Sequence, residues 1–212
     1  MKNIIRLSVL CVLALFFVAG CSSSDPVDDE APAEPMPEYD DEEQDDEADH
    51  DHQAEDDQGV LHMVAVAEVF SGDGEKLGDV MFNQIEEGVE IHGRLEGLEP
   101  GPKGFHVHEH GACDPPDFES AGGHFNPEGH PHGGPDEPAD HRHAGDFGNI
   151  EFNEEGVAEF AFVDPVITLG AGTNDVVGQA LIVHYEEDDK QTQPTGDAGP
   201  RAGCGIITAS GE

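Results

Sequence analysis

Positive charge is scarce in this 212-residue chain: 8 Lys and Arg stand against 48 Asp and Glu, a formal net charge of −40. Phosphate recognition needs clustered cations, so nucleic-acid binding is excluded as a role. Acidity of this degree suits saline surroundings, where a Debye length of about 3 Å at 1 M salt screens self-repulsion. A membrane-spanning run is missing too, because the apolar stretch from Leu7 to Phe17 falls short of the roughly 20 residues a bilayer needs. No long helical periodicity is present, which turns attention to strands. Cysteine is limited to four positions, 11, 21, 113 and 204, too few for a disulfide-dense scaffold.

What is there begins with a targeting pattern. Lys2 and Arg6 precede the apolar stretch, which reads as a secretion signal over residues 1–20. It ends in "VAGC", Val18 to Cys21, which resembles the lipobox of bacterial lipoproteins. That resemblance implies cleavage before Cys21 and a lipid on its sulfur, anchoring the chain in the cell envelope, at the periplasmic face of the outer membrane or the cell surface. Residues 21–58 are dense in Asp and Glu, and from Asp25 to Gln58 there is no Lys or Arg. Such a segment buries too little apolar surface to offset its ordering entropy, so a disordered tether is expected. Its "DHDH", Asp49 to His52, reads as part of a solvated acidic run. Residues 59–212 remain as one domain. With Cys11 removed and Cys21 lipidated, Cys113 and Cys204 are expected to pair in an oxidising compartment. Closing a loop of about 90 residues would stabilise the fold by roughly 4–5 kcal/mol.

Strand signals fill that domain. Val89, Ile91 and Leu95 alternate with Glu90, His92, Arg94 and Glu96, the period of a half-buried strand. Asn149 to Asp164 reads as two runs around a Gly-containing turn, a hairpin. Asp175 to Tyr185 and Cys204 to Ser210 supply further apolar strands. An all-β sandwich or barrel of about eight strands follows. Between His110 and Asp146 the pattern fails: Gly, Pro, His and Asp dominate, with almost nothing to bury. A metal could hold such a loop, since binding free energy is then folding free energy.

The chemistry sits in and beside that loop. In "GFHVHEHG", Gly104 to Gly111, His106, His108 and His110 fall on one side of a strand and Phe105 and Val107 on the other. "GGHFNPEGHPHGGP" and "HRHAGDFGN" add His124, His130, His132, His141, His143 and Asp146. Imidazoles with one carboxylate suit zinc or copper rather than calcium.

Taken in order, "GFHVHEHG", "GGHFNP", "HGGP", "HAGDFGN", "VHYEEDD" and "GPRAGCG" resemble the copper/zinc superoxide dismutases of the bacterial secreted type, over nearly the whole domain. The resemblance implies an all-β, eight-stranded Greek-key β-sandwich or barrel with long metal-binding and electrostatic loops. It implies copper on His106, His108, His124 and His184, and zinc on His124, His132, His143 and Asp146. His132 is preferred to His130 because "HGGP" follows it, and His143 to His141 because "HAGD" puts Asp146 three residues on. Asp188 is implied as a carboxylate joining ligands of the two metals, and Arg201 as the cation that guides the anion to copper. His110 is expected at the periphery. The implied activity converts superoxide to oxygen and hydrogen peroxide by copper redox cycling, with His124 also a catalytic residue and zinc structural. Partners are superoxide and, through Cys21, a membrane, with a homodimer left open. Two departures from the family stand out: the Tyr185–Arg201 segment has Lys190 as its only internal cation, and the loop between His132 and His143 carries extra residues including Arg142. The rival reading is a non-catalytic copper/zinc-binding lipoprotein for storage or delivery, in which Arg201 would have no evident role.

Overall fold

The computed structural model describes residues 63–210. The expected signal, the lipid site Cys21, the tether with its "DHDH" and the proposed domain start at residue 59 all lie outside the described residues. Eight antiparallel strands run β1 Val64–Ser71, β2 Lys76–Ile85, β3 Gly88–Glu96, β4 Gly101–His108, β5 Asp146–Phe152, β6 Val157–Asp164, β7 Ala180–His184 and β8 Arg201–Ile206, with a two-residue β9, Thr208–Ala209, on β1. Their order is β5-β4-β7-β8-β1-β2-β3-β6, a nearly closed barrel in which consecutive β3 and β4 lie far apart. This is the all-β Greek-key architecture expected, and no helix among the described residues is long and apolar enough to cross a membrane.

The alternation read in the sequence builds the core. Ala65, Ala67 and Val69 of β1, and Val89, Ile91 and Leu95 of β3, turn inward with Val80 and Phe82 of β2. Phe105 and Val107 put the apolar side of β4 into that core, leaving His106 and His108 on its opposite side. Each buried Val, Leu, Ile or Phe among them contributes roughly 1.5–3 kcal/mol, and the alanines less.

Three expectations are corrected. Asn149–Asp164 turns back on itself but builds no strand ladder: β5 pairs only with β4 and β6 only with β3, so the two strands border the barrel's open seam. The turn between them does close, with Asn153 N donating to Val157 O at 2.9 Å and Asn153 Oδ1 accepting from Glu155 N and Val157 N. Beyond it, aromatic rings wedge the strands apart. Phe147 of β5 meets Phe162 of β6 at 5.6 Å, and Phe105 meets Phe160 at 5.2 Å, both edge-on. Side chains therefore fill the seam that backbone bonds would otherwise zip.

The strand expected over Asp175–Tyr185 is confined to Ala180–His184, because Gly178 takes φ 87°, outside the strand region, and Asp175 Oδ1 folds back onto the N–H groups of Gly170 and Val177. The His110–Asp146 loop is also less bare than expected. Phe118, Ala121 and Phe125 are buried, and the first two form a small apolar cluster with Ala180, Ile182 and Cys204. A disulfide, Cys113–Cys204, with Cα atoms 5.7 Å apart, ties this cluster to β8.

Candidate metal centre

The period of β4 aims His106 and His108 the same way, and β7 beside it, with Ile182 opposite His106, ends at His184. A single bridge brings His124 of the loop against His108. Ligand atoms of His106, His108, His124 and His184 thus lie within 4.8 Å of one another, and all four residues are buried.

The hydrogen bonds of these rings decide which nitrogen is bare. His108 Nδ1 lies 2.9 Å from Gly122 O, and His184 Nδ1 lies 3.0 Å from Gly199 O. A carbonyl oxygen only accepts, so Nδ1 carries the proton in both rings and Nε2 keeps its lone pair. His106 is turned the other way: its Nε2 donates to Asp188 Oδ2 at 2.8 Å, leaving Nδ1 bare. His124 Nδ1 donates to Asp146 Oδ1 at 2.7 Å, leaving Nε2 bare. These four lone-pair nitrogens, His106 Nδ1, His108 Nε2, His124 Nε2 and His184 Nε2, are buried and have no partner. Buried polar atoms are rarely left so, and four in one place make a nitrogen set that fits a copper ion.

Protonation agrees with that use. Burial first, then the neighbouring His106, lowers His124 to about 4 and His184 to about 3. Burial and the rings of His124 and His184 push His108 well below the ordinary imidazole value. At neutral pH these three are neutral, the form that binds a metal.

The second group is His124, His132, His143 and Asp146, again all buried and with ligand atoms within 4.8 Å of one another. Asp146, at the start of β5, draws in His124 Nδ1 at 2.7 Å and His143 Nδ1 at 3.2 Å. His132 Nδ1 stands 3.0 Å from Asp146 Oδ2 but is not aligned to donate to it, and is a fifth buried nitrogen without a hydrogen bond. Three imidazoles and one carboxylate are a zinc donor set. Burial raises the Asp146 pKa, but hydrogen bonds from His124 and His143 and the close approach of the His132 ring outweigh that and hold it far below the usual carboxylate range. Burial likewise lowers His132, yet the flanking carboxylates Asp146 and Asp188 win and raise it to about 9 in the metal-free protein.

Asp188 joins the groups. Its Oδ2 accepts from His106 Nε2 at 2.8 Å and its Oδ1 from His132 Nε2 at 3.0 Å. Burial would raise its pKa, but these two bonds, His106 first, keep it ionised. Its backbone is pinned by a reciprocal pair with Asn149, Asp188 N to Asn149 Oδ1 at 2.8 Å and Asn149 Nδ2 to Asp188 O at 2.9 Å. Gly196 passes so close, at φ 68°, that a Cβ there would stand 2.6 Å from His132 Nε2 and collide with Asp188 as well. Such partners orient ligands from behind, and removing one typically costs about 10–100-fold in metal affinity.

Arg201 is opposite His184 in the β7–β8 register. Its guanidinium donates to Phe118 O and Gly122 O, and Gly122 O is also the acceptor for His108. His110 is exposed, and His130 and His141 belong to neither group.

Sequence reasoning missed the support of the second group. Arg142, noted only as an added loop residue, is fully buried, with Nη2 2.5 Å from Asp164 Oδ2 and Nη1 donating to Asp146 O at 3.1 Å. Asp164 Oδ1 in turn accepts from Val166 N and Ile167 N. Gln193 clasps the His132 backbone from both sides, accepting from its N–H and donating to its O, each at 2.8 Å. The one available signal was an arginine beside His143 in a chain so poor in cations.

Residues 76–207 match the family described as copper/zinc superoxide dismutase. Superoxide dismutase [Cu-Zn] 2 of Aquifex aeolicus is 39% identical over 152 residues, 68% of this chain and 86% of that protein. Superoxide dismutase [Cu-Zn] A of Xenopus laevis is 41% identical over 156 residues, 68% of this chain and 97% of that one. Among solved structures, a SOD-like protein from Bacillus subtilis aligns with a TM-score of 0.62 at 33% identity, covering 67% of this chain and 97% of its own. The clock protein EA4 aligns with the same TM-score at 35% identity, covering 72% and 98%.

Proposed function

The chain belongs to the copper/zinc superoxide dismutase family, and from that premise we propose that it removes superoxide in the cell envelope, held by a lipid on Cys21. Superoxide dismutase activity, with copper and zinc as the metals, is what the relatives carry; the residue roles and the location go beyond them. His106, His108, His124 and His184 hold copper, and His124, His132, His143 and Asp146 hold zinc. The observation that carries this is the convergence of four buried imidazole nitrogens, each left with a free lone pair. Copper, when bound, passes one electron between two superoxide ions, so that with two protons they become one dioxygen and one hydrogen peroxide.

The chain's own residues do the rest. His124 presents Nε2 to the first group and Nδ1 to the second, so it can hold or release a proton at Nε2 while tied through Nδ1. Asp188 keeps the His106 and His132 rings in one tautomer. Arg201 keeps its charge at any working pH and, fixed by two carbonyls, offers a cation beside His184 for a small anion. Zinc on the second group would tie the loop and His124 in place. The storage or delivery reading leaves this anchored arginine without a task.

The location rests on Lys2, Arg6, the Leu7–Phe17 run and "VAGC", with the Cys113–Cys204 disulfide favouring an oxidising compartment. The test loads the protein with copper and zinc, dialyses it against chelator, and follows superoxide decay together with metal content. Fast decay proportional to bound copper is expected; retained copper without decay would transfer the chain to storage or delivery. Replacing Cys21 with Ser should release the protein from the membrane fraction, and unchanged partitioning would refute the anchor.

A further inference from the structure

Charge is distributed unevenly around Arg201. Six cationic side chains occur among the described residues, and three of them are paired with carboxylates away from Arg201. Lys76 binds Glu68 and Asp79, Arg94 binds Glu96 and Glu159, and Arg142 is buried on Asp164. Lys103 Nζ donates to Tyr185 O. Lys190, the one cation inside the Tyr185–Arg201 segment, lays its alkyl stem over Gly134 and Gly148, on the zinc-loop side.

Arg201 is the one cation that lines its own cleft, and its surroundings oppose it. It lines a cleft of about 620 Å³ together with Asp73, Asp117 and Glu119. Asp117 and Glu119 are exposed and flank Phe118, whose carbonyl holds the guanidinium. Glu109, next to the His108 position, accepts from Gly123 N beside the second anchoring carbonyl, Gly122 O, and Glu186 packs on Gly199, which lines the same cleft. Three carboxylates, Asp73, Asp117 and Glu119, therefore share the cleft with its one cation.

We propose that Asp117 and Glu119 are rate-determining residues that hinder superoxide from reaching Arg201, so that in this chain steering is inverted and dismutation speeds up with salt. The inference rests on the dismutase reading above. Steering changes association rates through the summed field of the surface, and that field reaches about 30 Å at 0.01 M salt but only about 3 Å at 1 M. An anion that has arrived touches the Arg201 guanidinium, where no salt ion intervenes, whereas an approaching anion feels the carboxylates through solvent that salt screens. Raising salt thus removes the hindrance before it removes the attraction.

The experiment compares the copper- and zinc-loaded protein with Asp117→Asn/Glu119→Gln and with Glu119→Lys, from about 0.01 M to 1 M sodium chloride. Asp117 Oδ1 accepts from Glu119 N at 3.1 Å, and an asparagine in its place keeps a side-chain oxygen for that bond, so the turn is preserved. Superoxide decay by the parent should rise about two- to threefold with salt. The double variant should be about two- to threefold faster than the parent at low salt and equal to it at high salt, with Glu119→Lys faster still. A second readout needs no turnover: azide, also a monovalent anion, should bind the oxidised copper protein more tightly in the variants at low salt only, read from the copper absorption. Decay and azide affinity that fall steadily with salt, with variants tracking the parent, would overturn the inference. Azide binding with the expected salt trend but no chelator-resistant decay would instead sink the dismutase reading and leave the acidic collar standing.

Discussion

The two metal groups share His124 but are built differently. The four-histidine group stands on strands: His106 and His108 on β4 and His184 on β7 are placed by backbone pairing, and two of its ring protons end on main-chain carbonyls. The His132–His143–Asp146 group has both histidines on loop and only Asp146 at the start of a strand, and it is gathered by carboxylates and by a buried ion pair behind it. A strand set is preorganised by the same hydrogen bonds that make the barrel. A loop set depends on charge that is costly to bury, and so on the ion that would occupy it.

The largest expected effect comes from the residue the two groups share. His124→Ala should lower superoxide decay by at least about 100-fold and disturb both metals, as metal analysis and copper spectroscopy would show. Unchanged copper spectra would mean that the groups are independent. Next, Asp164→Asn leaves Arg142 as a buried charge without its counter-ion, a loss of roughly 3–5 kcal/mol of stability. Its mark should be selective: zinc released to a competing chelator well before copper. Removing the unpaired charge as well, in Arg142→Met with Asp164→Asn, keeps a side-chain oxygen for Val166 N and Ile167 N and should recover much of the stability, and equal loss of both metals in Asp164→Asn alone would erase the contrast between strand and loop.

The smallest effect is on pH. In the metal-free protein His124 and His184 have folded values of about 4 and about 3, below the unfolded imidazole value of about 6.5, and His108 is shifted the same way. Their contribution is present above 6.5 and is lost as pH falls through the folded values. His132, raised to about 9, runs oppositely: its contribution is full below 6.5 and is lost as pH rises through 9. Thermal unfolding without metal should therefore peak near pH 6.5 and fall more steeply on the acid side, where three rings act against one. A flat profile would mean that the loop group is not assembled before zinc arrives.

Much of this was legible beforehand. A period of two put His106 and His108 on one side of a strand, and "HAGD" placed Asp146 three residues beyond His143. The structure gathers those residues and leaves His130 and His141 outside. The β5–β6 seam was not legible, because a Gly-containing turn between two apolar runs looks the same whether the strands pair or are wedged apart by Phe147 and Phe162. Nor was Arg142, whose hydrophilic letter in a polar loop reads as exposed until Asp164, 22 residues away, comes to meet it.

The sequence by itself determined the kinds of chemistry available: strand periodicity, a stock of closely spaced imidazoles, two cysteines free to pair, and very few cations. Only the tertiary structure decided which nitrogen of each ring is bare and which cation lines a cleft opposite His184. The ring proton of His108 ends on Gly122, 14 residues on, and that of His184 on Gly199, 15 residues on. Periodicity is a local property of the backbone, whereas a tautomer or a desolvated charge depends on whatever acceptor the fold brings within about 3 Å, and no local pattern encodes that distance.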